Sequence, residues 1–106
     1  VARNRDLSIT RNIRVLEWLK CELLEAVSQL FKSFINNQEE LLLLSLARVK
    51  LTVYLLGKRA GINFARVDEQ LEIMVQQQLS AGHEVEEWYG DLSLLKQHLD
   101  TQRKGL

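Results

Sequence analysis

Apolar residues recur along most of this chain at steps of three and four, a period that predicts helices rather than strands. Ile9, Ile13, Leu16, Leu19, Leu23, Val27, Leu30 and Phe34 form one stripe of a first helix over 8–35, with Ser8 placed to cap its start. The run INNQEE breaks the pattern. Asn37 is positioned to cap a second helix over 38–60, with Glu40 three residues on. That helix is apolar around most of its circumference, as expected of an element central to a bundle or shared between subunits. Gly61 is expected to end it. A third helix over 64–81 turns Val67, Leu71, Met74, Val75 and Leu79 inward and stops at Gly82. HEVEEWYGD reads as a turn or a short helical piece. Asp91 is placed to cap a last helix over 92–102, with Leu95 and Leu99 inward, and TQRKGL is expected to fray. The pattern predicts an all-α fold, a four-helix bundle in a single domain over 1–106.

Composition agrees. The 106 residues suffice for one core, and the chain has no proline and only five glycines, too few turn formers for a sheet-rich fold. No internal repeat or low-complexity segment is visible. Fourteen basic residues balance fourteen acidic ones, so nothing electrostatic points to nucleic acid or an anionic membrane as partner. A lone cysteine, Cys21, forms no internal disulfide and fits a reducing cytoplasm. The start, VARNRDLSIT, has no apolar core of a signal peptide. Ser45, Arg48 and Lys50 interrupt the leucine-rich run before it reaches the length of a membrane span.

Two places could carry chemistry. In KCELLEA, Glu22 and Glu25 are three apart and share a helix face, away from the main stripe and beside Trp18. A solvated acidic face is the plainest reading. A tryptophan there points instead to a second contact surface. On the second helix, Leu41, Ser45, Arg48, Thr52, Leu55 and Arg59 fall on one side and Lys50 nearly opposite. One polar spot can face water. The other needs partners, because an unpaired buried guanidinium is very costly. Snorkelling of both to the bundle's edges is the alternative. Other signals are weak. His83 and His98, with one distant cysteine, make no zinc pattern. Cys21 beside Lys20 reads as an ordinary helix cysteine. Trp88 and Tyr89 read as core or interface residues, and no phosphate loop or Ser-His-Asp set exists.

LARVKLTVYLLGKRAGINF, with the acids upstream, resembles the MazG-type all-α nucleotide pyrophosphohydrolases. In that family one helix carries E-E-x-x-E and the next E-x-x-D. These acids bind Mg²⁺, which holds a nucleoside triphosphate for attack by water with release of pyrophosphate. On this resemblance Cys21, Glu22 and Glu25 stand where E-E-x-x-E would be, and Ser45 and Arg48 stand where E-x-x-D would be. Two of the five carboxylates remain, so Cys21, Ser45 and Arg48 are degenerate positions. HEVEEWYGDLSLLKQHL is most similar to the short MazG-like proteins of Gram-positive bacteria.

Two functions follow as expectations. The first is a MazG-like protein with a degenerate Mg-binding acid cluster, acting as a non-catalytic binding or assembly module. There Arg48 would neutralise Glu22 or Glu25 in place of the metal. The second is a divergent Mg-dependent nucleoside triphosphate pyrophosphohydrolase, with Glu22 and Glu25 as metal ligands helped by Glu17 or Asp68. No catalytic residue and no resident cofactor is assigned. A homodimer or larger homo-oligomer is expected, with the second helix near the subunit contact, and a nucleotide is left open as a ligand.

Overall fold

The computed structural model describes the backbone of residues 2–82 and 84–104 and the side chains of residues 7–35, 37–82 and 84–104. Among the described residues there are five helices and no strand. They are α1 (Ala2–Asn36), α2 (Glu39–Arg59), α3 (Phe64–Ala81), α4 (Glu84–Tyr89) and α5 (Asp91–Lys104). The all-α class holds, with one helix more than the four expected. The addition is the six-residue α4, in the stretch read as a turn or short helical piece. Contacts cluster into two compact units, Val1–Phe64 and Ala65–Leu106.

The first unit is the hairpin of α1 and α2. Asn12 meets Arg59 and Glu22 meets Arg48, so partner numbers fall as residue numbers rise and the helices are antiparallel. Among the described residues of this unit, Leu19, Ala26 and Ser33 on α1 and Ser45 and Thr52 on α2 are the buried side chains. Each set is spaced by seven, a heptad seam, and four of the five residues are small, which lets the two backbones approach closely. The seam lies to one side of the apolar stripe read from the sequence. Leu16, Leu23, Val27 and Leu30 are therefore only half-covered, and Ile9, Ile13 and Phe34 are exposed.

Helix ends differ from expectation where the backbone rather than the side chain decides. Helix α1 starts at Ala2, so Ser8 lies inside it and caps nothing. No glycine or proline in residues 2–7 stops the helix from extending back. Asn37 does not cap α2. It adopts a left-handed backbone, φ +51°, and ends α1, a conformation asparagine tolerates better than other non-glycine residues. Gln38 takes the N-cap position of α2 without a side-chain cap bond, and Glu39 and Glu40 supply negative charge to that first turn.

Gly61 ends α2 as expected, at φ +97°. The Ile62 N–H donates to the Gly57 carbonyl at 2.9 Å and the Gly61 N–H to the Lys58 carbonyl at 3.1 Å. These are the paired bonds of a Schellman cap. The Asn12 side-chain amide donates to the Arg59 carbonyl at 3.2 Å, so α1 also helps close α2.

In the second unit Val75 is buried and Val67, Leu79, Leu92, Leu95 and Leu99 are half-buried. Leu71 and Met74, expected inward, are exposed. The covered face of α3 is rotated toward Glu72, which forms an ion pair with Arg103 of α5. Asp91 is the first residue of α5 rather than its cap. The Glu86 carboxylate takes the capping role. It accepts the Ser93 N–H at 3.1 Å and the Ser93 hydroxyl, while Gly90 turns the chain at φ +67°. Helix α5 runs through Lys104, so most of the end expected to fray is helical, and Gly105 and Leu106 lie outside the described residues. Among the described residues no helix is long and apolar enough to cross a membrane.

Candidate functional site

The middle of the hairpin carries the charged cluster. Helical spacing puts Glu22, Glu25 and Gln29 on one flank of α1, and the antiparallel register brings Arg48 of α2 opposite them. Arg48 Nη2 lies 2.8 Å from Glu22 Oε2 and 3.7 Å from Glu25 Oε2. Its Nη1 donates to Gln29 Oε1. The Arg48 and Glu22 side chains are 29% and 27% exposed, whereas Glu25 is 72% exposed. The guanidinium therefore does not snorkel away from the hairpin. Its fork is filled by one largely shielded carboxylate, a second carboxylate at longer range and a neutral amide.

Ser45 lies one turn before Arg48, is 1% exposed, and its hydroxyl has no hydrogen-bond partner. The other buried hydroxyls are satisfied within their own helices. Thr52 Oγ1 donates to the Arg48 carbonyl at 2.7 Å and Ser33 Oγ to the Leu30 carbonyl at 2.6 Å. Cys21 is an exposed free thiol, and Trp18 is 59% exposed beside the acids.

Of the sequence-selected residues, the fold brings together Glu22, Glu25 and Arg48. Glu17 is held apart, paired with Lys20 at 2.7 Å on the exposed side of α1. Asp68 belongs to the other unit, on α3. His98 is exposed on α5, and His83 lies outside the described residues. Trp88 and Tyr89 are not core residues. Both are exposed, packed edge to face with ring centres 6.4 Å apart. Gln29 was missed by sequence reasoning. Its position, four residues after Glu25 on the same flank, was the available signal.

Mg²⁺ requires near-octahedral oxygen coordination, usually with carboxylates and retained waters. At the five positions Cys21, Glu22, Glu25, Ser45 and Arg48 the chain offers two carboxylates, a hydroxyl, a thiol and a fixed cation. Among the described residues no group of three or more His, Cys, Asp or Glu side chains gathers. A guanidinium already within 2.8 Å of Glu22 repels a divalent ion from the same oxygens. This donor set does not fit a resident Mg²⁺.

A family model described as the MazG-like family matches residues 9–92, a span that runs through both compact units. No curated protein and no solved structure shows significant similarity to the chain.

Proposed function

Because this chain belongs to the MazG-like family, we propose that it is a helical binding or assembly module without catalytic turnover, working as a homo-oligomer. Arg48 between Glu22 and Glu25 carries this reading. A guanidinium at that place supplies the positive charge the two acids need, with fixed directions and no exchangeable water. A hydrolytic site needs the opposite, a cation with open positions that can take phosphate oxygens and activate water. Self-association is supported by the apolar side chains that the hairpin leaves exposed on α2, among them Leu43, Leu44, Leu46, Leu51 and Val53. On this reading the whole chain acts as one MazG-like domain.

The test is pyrophosphate release from the common nucleoside triphosphates with Mg²⁺ and with Mn²⁺. Release at background is expected. Turnover of about 1 s⁻¹ or more, within the ordinary enzyme range, overturns the reading in favour of a pyrophosphohydrolase that recruits acids around Glu25.

A further inference from the structure

The last two residues of α4 are aromatic, and the fold leaves both open. Trp88 is 68% exposed and Tyr89 69%, with their rings edge to face. Each residue of a helix turns the side chain by about 100°, so the side of α4 away from Glu86 holds Glu84, Glu87 and Trp88. Glu86 itself is tied to Ser93 of α5. Glu84 and Glu87 are exposed beside the indole, and so is Asp91 at the start of α5. No lysine or arginine occurs between Arg66 and Lys96, so this stretch carries no fixed cation of its own. Tryptophan, tyrosine and arginine are enriched where protein contacts hold most of their energy.

We infer that this aromatic and acidic face of α4 docks an extended, arginine-bearing segment of another protein. The inference rests on the binding-module reading above and names its partner. The surface belongs to the second compact unit, whereas Arg48 belongs to the first. Charge selects the occupant. A negative face repels phosphate. That excludes nucleic acid, whose stacking on exposed rings goes with a positive groove, and an anionic bilayer. A basic segment is complementary to the face. An arginine guanidinium lies flat on an indole ring and still turns the edge of its fork toward a carboxylate. Glu84, one helical turn before Trp88, is the nearest such carboxylate on the same side. Lysine makes the contact with the ring but has no flat fork to match a carboxylate. The indole N–H and the phenol O–H are hydrogen-bond donors as well. A peptide backbone offers them carbonyl acceptors, and a protonated polyamine offers none.

The experiment uses the full chain and a fluorescein-labelled peptide of alternating arginine and glycine, read by fluorescence anisotropy at low salt. Saturable binding in the micromolar range is expected. It should weaken as salt is raised through about 0.1 M, where charges more than about 10 Å apart are screened. Trp88→Ala should weaken binding about tenfold. Glu84→Gln with Glu87→Gln should weaken it and flatten its salt dependence. Phe31→Ala, which removes another exposed ring, on α1, should leave it unchanged. The lysine counterpart of the peptide should bind several-fold more weakly. Absence of binding at low salt, equal binding by Trp88→Ala, or equal affinity for the lysine peptide overturns the inference. So does displacement by spermine at equal charge, or binding of a labelled single-stranded oligonucleotide at the same face. A light-scattering mass that falls in Trp88→Ala would give the face to a second copy and overturns it too. Should Trp88→Ala lose helical content, Glu84→Lys with Glu87→Lys decides, and it should abolish binding. None of these outcomes bears on the absence of turnover, which pyrophosphate release tests by itself.

Discussion

The guanidinium of Arg48 sits 2.8 Å from the carboxylate of Glu22, twenty-six residues earlier in the chain and on the facing helix. Both side chains are about three-quarters covered. The attraction therefore acts at lower dielectric than on an open surface, though water still reaches both groups. The pair should fall between an exposed bridge, worth under about 1 kcal/mol, and a fully buried one, whose breakage costs roughly 3–5 kcal/mol. Arg48→Met keeps the apolar stem and removes the charge. It should destabilise the chain by about 1–3 kcal/mol in urea unfolding. A double-mutant cycle with Glu22→Gln should return a coupling energy of the order of 1 kcal/mol. A coupling of zero would mean that the contact carries no energy.

Ser45 makes the opposite prediction. Its hydroxyl is buried without a partner, so the folded state bears a desolvation cost that nothing offsets. Ser45→Ala removes the hydroxyl and leaves a void of one oxygen atom. Stability should stay level or rise, by up to about 1 kcal/mol. A loss larger than that would show that the hydroxyl is hydrogen-bonded in solution.

Gly61 tests the end of α2. At φ +97° an alanine is strained, yet the space where its Cβ would go is open within 4 Å. The effect is therefore backbone strain alone. Gly61→Ala should cost about 1 kcal/mol, and Gly61→Asn less, because asparagine tolerates the left-handed region better. Equal stability of the parent and both variants would argue against the Schellman geometry.

Much of this architecture is legible in the sequence. The boundaries of α2 and α3 follow from periodicity and from Gly61 and Gly82, whose positive φ leaves little alternative. The Arg48–Glu22 contact is foreseeable too, because a charge inside a leucine run demands a partner and the acids of α1 are the nearest set on a facing helix. What the sequence conceals is rotation. A stripe of eight apolar positions on α1 does not reveal that Ala26 and Ser33, beside it, form the actual seam. Caps are ambiguous for a similar reason. Asn37 and Asp91 both suit an N-cap, but Asn37 is used for its backbone, and the α5 cap comes from Glu86, seven residues before the serine it binds. A tertiary contact of that kind leaves no local pattern.

The Glu86 cap predicts an acid dependence. The Ser93 hydroxyl, then the Ser93 N–H, hold the Glu86 carboxyl below its ordinary value. A lowered folded-state value means that the unfolded chain takes up the proton first as pH falls. The contribution of Glu86 is thus fully present above the ordinary carboxylate range and is lost as pH falls through the folded value. Glu86→Gln should unfold more easily than the parent near neutrality, and the difference should shrink steadily on acidification below that range. Urea midpoints measured from neutral pH downward check this, and a difference that does not change with pH contradicts it.

On the proposed reading, the charge of Arg48 takes the place of a metal ion between Glu22 and Glu25. The most direct measurement is the thermal unfolding of Arg48→Asp beside the parent, each with and without millimolar Mg²⁺ or Mn²⁺. The substitution sets a third carboxylate against the two acids, so the metal-free variant should melt well below the parent. Binding to the native state alone must then restore stability, by about 2.7 kcal/mol at a hundredfold excess over the dissociation constant. A large metal-dependent rise is expected for Arg48→Asp and none for the parent. A parent that gains stability from the metal, or an Arg48→Asp variant that melts like the parent and ignores the metal, would contradict that reading.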